Sequence, residues 1–425
     1  MVRIEEYKEQ TENQNIETLP LPAKVYLPLS QHIGKICDPE VAIGDSVVTG
    51  QRIANAAAAV YAPVHASLSG KVVAIEDYPH PLLGRCKTIV IENDGLDKAQ
   101  VAGFREQEKI EKLTPEEICN IVFTAGIVGM GGAGFPTQIK LNPPQPVDTL
   151  IINGAECEPF LTGDYRLMLE KSEEILQGIE LTARCLGVKK IIIAIEDNKL
   201  EAINKFESAV RRTPYAVRIL KSGYPQGSEK QLIKNVLGKE VPRGKLPFAA
   251  DVVVQNVATI YAIYEAVYLN KPLYERVVTV GGSCLAHPKN LYVRLGTPVK
   301  TLIDFCGPLK EQPAKLLIGG PMMGIAQYTD EVPVIKTTTG IILFSAAEAK
   351  IREEEFCIRC GACVRECPMG LEPCLINLAS EKELWTEAKA YGALDCIECG
   401  LCNYVCPANR PLTQSIKRAK LEAAK

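Results

Sequence analysis

The chain has 425 residues, of which 47% are hydrophobic and 23% are charged, so it can form folded domains with hydrophobic cores. Its formal net charge of −3 argues against a nucleic-acid-binding protein, because such proteins usually carry a basic surface. The length is typical of about three domains.

The first ten residues, MVRIEEYKEQ, are polar and acidic, which is not typical of a secretory signal. No apolar run reaches the roughly 18–20 residues that a membrane-spanning helix needs. We therefore expect a cytoplasmic protein whose contact with any membrane is peripheral.

The first predicted module covers residues 20–100 and contains the segments VAIGDSVVTGQRIA and VYAPVHASLSGKVVAIE. These segments resemble the two half-motifs of a lipoyl-like β-sandwich. A lipoyl or biotin carrier needs a lysine at the hairpin tip between the halves, and here the tip reads NAAAAVY. We interpret this part as a docking module without a carrier function, and His65 as a structural turn residue.

A helix is predicted next, over LTPEEICNIVFTAGI, because Thr114 and Glu117 have the spacing of a capping box. The glycine-rich loop that follows contains Gly129, Gly131 and Gly134 in the pattern G-x-G-x-x-G. A dinucleotide fingerprint must follow a strand and begin a helix, whereas this loop follows a helix. The ordinary Rossmann interpretation is therefore rejected.

Strands and helices alternate after the glycine loop. The predicted strands are 148–155, 189–196, 216–220 and ADVVVQNV, and the predicted helices are 164–186, 199–212, one from Gly227, and 258–268. This order predicts a parallel sheet, which binds ligands at the carboxyl ends of its strands. The loops NGAECEPF, GYPQGSEKQ and VQNVAT follow such ends, so together with the glycines they predict a pocket for a flat, phosphate-bearing cofactor.

Residues 272–345 resemble a small β-grasp module of the SLBB type. Within it, GGPMMG is interpreted as a tight turn, with a sulfur-lined electron path as the alternative. The methionine pair is assigned to ordinary packing.

Two cysteine groups of the form C-x2-C-x2-C-x3-C-P lie in residues 346–425. Their members are Cys357, Cys360, Cys363, Cys367, Cys396, Cys399, Cys402 and Cys406. Three thiolates at this spacing bind one iron–sulfur cube and the fourth binds the neighbouring cube, whereas zinc prefers two pairs of ligands. The spacing predicts two [4Fe–4S] clusters with crossed ligands, Cys406 joining the first group and Cys367 the second. Cys374 is interpreted as a buried thiol outside the ligand spacing.

The segments GMGGAGFPTQIKL, NGAECEP, GYPQGSEKQ and IGGPMMG, followed by the cysteine groups, stand in an order that resembles the RnfC family. RnfC proteins are peripheral subunits of Rnf ion-translocating ferredoxin–NAD oxidoreductases. The first two segments are also similar to the flavin loops of the NADH-binding flavoprotein of complex I, which carries one C-terminal cluster where this chain has two.

This resemblance implies a multidomain α/β protein. Its parts are a lipoyl-like barrel sandwich (20–100), a complex I flavoprotein-like FMN/NAD domain (110–271), an SLBB-like β-grasp module (272–345) and a helical ferredoxin domain with two [4Fe–4S] clusters (346–425).

The resemblance also implies a ligand set for a non-covalent FMN and for NAD(H) as substrate. The implied FMN residues are Gly129, Gly131, Gly132, Ala133, Gly134, Phe135, Lys140, Asn153, Glu156, Gln255, Asn256 and Thr259. The implied NAD(H) residues are Glu156, Glu158, Gly227 and Glu229, and Glu156 is the candidate catalytic residue.

The implied activity is exchange of hydride with NAD(H) at FMN and transfer of single electrons through the clusters. The implied partners are the other Rnf-type subunits, namely membrane subunits and one that is ferredoxin-like, with ferredoxin reached indirectly. The implied location is the inner face of the cell membrane, with peripheral attachment.

Two other functions fit the same motifs. One is a flavin and iron–sulfur reductase of the cobalamin-reductase type, which shares the flavin loops and the cluster pair. The other is a non-catalytic adaptor, in which the clusters relay electrons and the flavin pocket is degenerate.

Overall fold

Four β-sheets and a helical region make up the part of the chain that the computed structural model describes, which is residues 2–100, 103–350 and 352–424.

The first part is a sandwich of two small antiparallel sheets. The short strand β1 (Glu17–Thr18) precedes it, and its own strands are β2 (Lys24–Pro28), β3 (Asp38–Pro39), β4 (Ser46–Val47), β5 (Arg52–Asn55), β6 (Val64–His65), β7 (Gly70–His80) and β8 (Gly84–Asn93). One sheet has the order β2-β8-β7-β4 and the other β3-β5-β6. Alternate residues of β2 and β8, such as Val25, Leu27, Ile89 and Ile91, are buried in the core.

The second part is a parallel sheet with helices. Its elements are α1 (Gln107–Glu111), α2 (Pro115–Thr124), α3 (Thr137–Leu141), β9 (Thr149–Gly154), α4 (Gly163–Glu170), α5 (Ser172–Leu186), β10 (Lys190–Glu196), α6 (Leu200–Val210), β11 (Tyr215–Leu220), α7 (Glu229–Leu237), a 3-10 turn (Pro247–Ala250), β12 (Val252–Asn256) and α8 (Val257–Tyr268). The strand order is β11-β10-β9-β12, and every neighbouring pair is parallel. Both faces of a parallel sheet are covered, which is why its central strands read as continuous apolar runs.

The register of this sheet positions the site. Asn153, near the end of β9, lies opposite Asn256, at the end of β12. The predicted capping box of α2 is present, since Thr114 Oγ1 accepts the N–H of Glu117 and the Glu117 carboxylate accepts the N–H of Thr114. The predicted helix 164–186 is divided at Lys171 into α4 and α5.

The third part is a mixed six-stranded sheet. Its elements are β13 (Glu275–Gly281), β14 (Lys289–Arg294), α9 (Val299–Phe305), β15 (Lys315–Ile318), β16 (Ile325–Gln327) and β17 (Gly340–Phe344). The strand order is β1-β14-β13-β17-β15-β16, so β1 completes this sheet by pairing in parallel with β14. Local sequence patterns do not indicate this pairing, because β1 is two residues long and its partner lies far along the chain.

The last part is helical. Its elements are α10 (Ala362–Arg365), α11 (Pro373–Glu381), α12 (Trp385–Ala390), a 3-10 turn (Ala393–Asp395), α13 (Leu401–Tyr404) and α14 (Leu412–Ala423). Ile376, Ala388 and Ile416 belong to its core, against which half-buried cysteines of both motifs pack. Among the described residues, no helix has the length and apolar character that a bilayer crossing requires.

Lys336 joins the first three parts. Its side chain is fully buried, and its amine donates hydrogen bonds to Pro63 O at 2.6 Å and to Gly126 O at 2.7 Å. Burial lowers the pKa of Lys336 to about 7. The sandwich, the α/β part and the β-grasp sheet therefore meet at one buried amine.

The packing of α5 against α8 gives a test of the fold. A Cβ added to Gly178 would lie 2.3 Å from Ile260 O. We expect Gly178→Ala to destabilise the protein by about 1–3 kcal/mol, because this overlap outweighs the gain of about 1 kcal/mol in helix propensity. Chemical denaturation followed by circular dichroism measures the change. Ala at the exposed neighbour Gln177 is the control, and a Gly178→Ala protein as stable as the wild type would contradict the packing.

Candidate functional site

A cavity of about 430 Å³ lies at the carboxyl ends of β9 and β12. Its size is within the range of about 300–1,000 Å³ that is usual for ligand pockets. Predicted site residues that line it are Gly129, Gly131, Gly132, Ala133, Phe135, Lys140, Asn153, Glu156, Glu158, Gly227, Glu229, Gln255 and Asn256. The fold thus brings together residues from the three loops and the glycine loop.

The glycine loop is held at both ends and open in the middle. An isolated bridge pairs Val128 with Pro136, and the N–H of Gly129 donates to Phe135 O at 2.8 Å. Gly132 has a φ of +110°, and a Cβ built on it meets no atom within 4 Å. The loop therefore presents backbone without side chains to the cavity, which suits a ring or a phosphate at close approach.

Gly134 and Thr259, two residues predicted to bind FMN, support this loop but do not line the cavity. Thr259 is fully buried, and its hydroxyl accepts the N–H of Met130 at 2.9 Å. Gly134 has a φ of +65°, and its N–H donates to Gly129 O at 3.1 Å. Their contact with a cofactor stays a prediction, whereas their contact with the loop is observed.

Amide side chains converge at the strand ends. Asn153 Nδ2 donates to Gly227 O at 2.9 Å, and Asn256 Nδ2 donates to Asp164 Oδ2 at 2.6 Å. Gln255 is 1% exposed, and its Nε2 has no hydrogen-bond partner within the described part of the chain. A buried donor without a partner is costly, so this atom fits an acceptor on a bound cofactor.

Lys140 and Glu229 form an ion pair at the cavity wall. The Lys140 ammonium also donates to Val254 O at 3.2 Å. The resemblance implies that Lys140 lies near a phosphate and Glu229 near NAD(H), and in the structure the two side chains contact each other. The cavity wall thus carries a cation that is paired with a carboxylate.

Glu156 has a structural role in the observed geometry. Its carboxylate accepts the N–H of Asp164 at 2.9 Å and of Tyr165 at 3.2 Å, at the N-terminus of α4. Carboxylates are stabilising at this end of a helix. The catalytic assignment of Glu156 stays a prediction, and both of its oxygens are engaged in capping the helix.

Glu158 connects the cavity to the second cysteine group. Its carboxylate accepts the N–H groups of Met322 at 3.1 Å and Met323 at 3.0 Å, and burial raises its pKa to about 7. The Tyr224 hydroxyl donates to Cys399 O at 2.8 Å and lies 3.4 Å from the Glu158 carboxylate. Cys399 itself lines the cavity.

The second cysteine group is arranged around a small space. Cys367 lines this space with Cys396, Cys399 and Cys402, which is the crossed set predicted for one cluster. Within the described ranges, no three Cys, His, Asp or Glu side chains lie close enough to bind one metal ion. A cluster does not need this, because each thiolate binds a different iron atom, and four thiolates are the donor set of a [4Fe–4S] cube.

The first cysteine group is more open. Cys357 and Cys360 are exposed, while Cys363 is half-buried. Cys374, predicted to be buried, is half-buried instead and lies near Cys363, so this additional thiol lies beside the first group. Phe356 and Ile358, which flank Cys357, are exposed over 93% and 66% of their surface.

Four family models match the chain in consecutive segments. They are the RnfC barrel sandwich hybrid domain over residues 2–96, the Nuo51 FMN-binding domain over 122–265, the SLBB domain over 277–326 and the 4Fe-4S dicluster domain over 349–407. The predicted combination of folds is confirmed.

Curated relatives match nearly the whole chain. The matching component of the proton-translocating ferredoxin:NAD(+) oxidoreductase complex of Clostridium ljungdahlii is 46% identical over 99% of this chain and 93% of the relative. The chain belongs to the RnfC family. A component of the Na(+)-translocating ferredoxin:NAD(+) oxidoreductase complex of Acetobacterium woodii is 42% identical over 94% of this chain and 91% of the relative. A component of the ion-translocating oxidoreductase complex of Rhodobacter capsulatus is 45% identical over 98% and 81%.

Among solved structures, the NAD+-reducing [NiFe]-hydrogenase in the H2-reduced state aligns with 76% of this chain and 66% of that chain. The identity is 17% and the TM-score 0.49, a likeness too low to bear on function.

The resemblance to the RnfC family inferred from the motifs is confirmed by the relatives and the family models. The chain has sites for FMN and for two [4Fe–4S] clusters.

Two charged residues of this RnfC cavity were not found from the sequence. Asp164 lines the cavity, and burial together with the charge of Glu156 raises its pKa to about 7. Arg276, on β13, donates to Met130 O at 3.2 Å and to Lys336 O. In the sequence, Arg276 precedes the apolar run of the strand ERVVTVG. A charged residue in such a strand indicates a side chain that is buried and paired.

The arrangement of the second group predicts the effect of Cys367→Ser. This change should remove the cluster that Cys396, Cys399 and Cys402 also bind, and the iron content should fall by about half. Iron analysis and EPR spectroscopy measure the loss. Cys396→Ser should abolish the same EPR signal, and Cys374→Ser, the control, should retain both clusters. If Cys367→Ser and Cys396→Ser removed different signals, the crossed arrangement would be wrong.

Proposed function

We propose that this cavity exchanges hydride with NAD(H) at a non-covalent FMN and that electrons leave it through the two clusters. The chain would do so as the RnfC component of an ion-translocating ferredoxin:NAD+ oxidoreductase complex. The observation that carries the proposal is that Cys399 lines the same cavity as the glycine loop, so a flavin site and a cluster site share one wall. FMN accepts an electron pair from NADH and releases single electrons, which the clusters require.

The glycine loop and the strand-end amides would hold FMN. Gly131 and Gly132 offer backbone N–H groups without side chains, and Gln255 Nε2 offers a buried donor that has no partner in the described part of the chain. Lys140 would neutralise the phosphate by exchanging its contact with Glu229. Asn153 and Asn256 would fix the polar edge of the cofactor.

NAD(H) would bind on the side of the cavity formed by Glu156, Glu158 and Gly227. A Cβ at Gly227 would lie 2.8 Å from Ala155 O. The two loops are thus packed backbone against backbone and leave the remaining space to a ligand. Glu158, held by two N–H groups of the β15–β16 turn, would keep this wall rigid.

The burial of the cysteines supports one order of electron transfer. Cys396, Cys399, Cys402 and Cys367 would hold the cluster nearer the cavity, which would supply the first one-electron acceptor, because Cys399 is buried and lines the cavity. Cys357 and Cys360, which are exposed, would with the rest of their set hold the cluster nearer the surface, which would supply the one-electron donor to a partner. The partners would be the other Rnf-type subunits, namely membrane subunits and one that is ferredoxin-like, with ferredoxin reached indirectly.

We place the protein on the inner face of the cell membrane, attached peripherally. The described helices offer no span, so attachment would depend on contacts with other subunits.

The proposed domain boundaries are 20–100, 110–271, 272–345 and 346–425. The segment that precedes residue 20 contributes β1 to the β-grasp sheet.

The flavin assignment is tested by Gly131→Val. A Cβ at Gly131 would already lie 3.4 Å from Asn256, and two further methyl groups would occupy the cavity beside the loop. We expect loss of FMN with both clusters retained, measured by absorbance and iron analysis. Gly131→Ala should weaken FMN binding less, and Ser208→Val on the exposed face of α6 should not change it. Full FMN occupancy in Gly131→Val would contradict the assignment.

The electron order is tested with two further variants. In Cys360→Ser, NADH should still reduce the cluster of the second group, because that cluster adjoins the cavity. In Cys399→Ser, NADH should still bleach the flavin absorbance, while the first-group cluster is reduced far more slowly. Rapid-freeze EPR after mixing with NADH measures both. Fast reduction of the first-group cluster in Cys399→Ser would reverse the proposed order.

A further inference from the structure

Residues 2–18, the N-terminal segment, lie outside every module predicted from the sequence but contact the wall of the cavity. Val2 and Tyr224 exchange two backbone hydrogen bonds, at 3.1 and 2.9 Å. The N–H of Phe160 donates to Glu6 O at 2.8 Å, and the ring of Tyr7 stacks on Phe160 with centroids 4.9 Å apart. The segment therefore packs on both loops assigned to NAD(H).

Lys8 is the centre of this contact. Its side chain is buried, with 6% of the residue exposed. Its ammonium donates to the main-chain carbonyls of Glu156, Glu158 at 3.2 Å and Leu161 at 2.7 Å. An ammonium has three N–H donors, so all of them are used on residues 155–161, which we call the acidic loop.

The three hydrogen bonds constrain the acidic loop. They hold its carbonyl groups towards Lys8, while the Glu156 carboxylate caps α4 and the Glu158 carboxylate accepts the N–H groups of Met322 and Met323. Phe160 has a φ of +67°, which is unfavourable for a residue with a side chain. Such a conformation persists where the surroundings fix it, and here Glu6, Tyr7 and Lys8 do so.

A neighbouring buried lysine does not share this role. Lys199 donates to the Glu196 carboxylate at 2.7 Å and to Asn198 Oδ1 at 3.0 Å. It therefore forms an ion pair with its own loop. Lys8, by contrast, has main-chain carbonyls as its partners and acts on the conformation of the acidic loop.

We propose that Lys8 is a positioning residue for NAD(H) binding. It fixes the conformation of the acidic loop through the main-chain carbonyls of that loop, and it makes the N-terminal segment part of the site. This inference rests on the proposed function. It assigns no direct contact between Lys8 and the substrate. Loss of the ammonium should loosen the loop and weaken NAD(H) binding without removing the cofactors.

The test is Lys8→Met in the full chain carrying FMN and both clusters. Hydrogen–deuterium exchange at the amides of the acidic loop should become about ten-fold faster, and KM for NADH should rise about ten-fold with kcat within about two-fold. FMN and iron contents should stay at the wild-type level. Lys8→Arg should recover part of the protection, because it retains a cation with several donors.

Two controls separate positioning from general destabilisation. Lys271→Met removes another buried lysine, which pairs with Glu265 and Glu275 and does not contact the acidic loop. It should lower stability without selective exchange at the acidic loop. Lys24→Met changes a surface ion pair and should have no effect on either measurement.

Unchanged exchange and unchanged KM in Lys8→Met would overturn the inference, as would exchange that rises equally across the chain. Failure of the proposed function would look different. The wild type would then show no bleaching of flavin by NADH, whereas the exchange measurement on Lys8→Met would still show whether Lys8 holds the acidic loop.

Discussion

The Glu158 carboxylate is the contact on which the geometry of the site depends. It lies in the acidic loop, accepts two N–H groups from the β15–β16 turn and faces the Tyr224 hydroxyl, which bonds to Cys399 O. A buried carboxylate without such partners would be strongly unfavourable. The α/β part, the β-grasp sheet and the second cysteine group must therefore keep their mutual positions for this group to be satisfied.

The parallel sheet supplies the other half of the arrangement. Its register places Asn153 beside Asn256, and the glycine loop lies close against Asn256. The cofactor site is thus built where two parallel strands end, and its far wall is a cysteine group from a different part of the chain. Because the cofactor site and the cysteine group share one cavity, electrons have a short path from a two-electron donor site to a one-electron acceptor site.

Local signals in the sequence predicted most of the fold. The capping box at Thr114 and the apolar strands are each determined by residues within about ten positions of one another, and each is present. The cysteine spacing also predicted that Cys367 lies with the second cysteine group, and Cys367 lines the same small space. Long-range contacts were not predictable in this way. Arg276 enters the cavity from a different sheet, and Lys8 reaches carbonyls about 150 residues further along the chain. Gly134 belongs to the glycine pattern and Thr259 was implied by the resemblance, but both support the loop and neither lines the cavity.

The barrel sandwich, which the sequence predicted to be a docking module without a carrier function, also forms part of the cavity wall. The tip of its β7–β8 hairpin carries Pro81 and Leu82 into the cavity lining. Gln327 Nε2 donates to Pro81 O at 3.0 Å, and the Tyr328 hydroxyl donates to Gly84 O at 3.0 Å. The β-grasp sheet thus holds the hairpin by its backbone, which leaves its apolar side chains free to cover the cavity. The module therefore contributes part of the cavity wall.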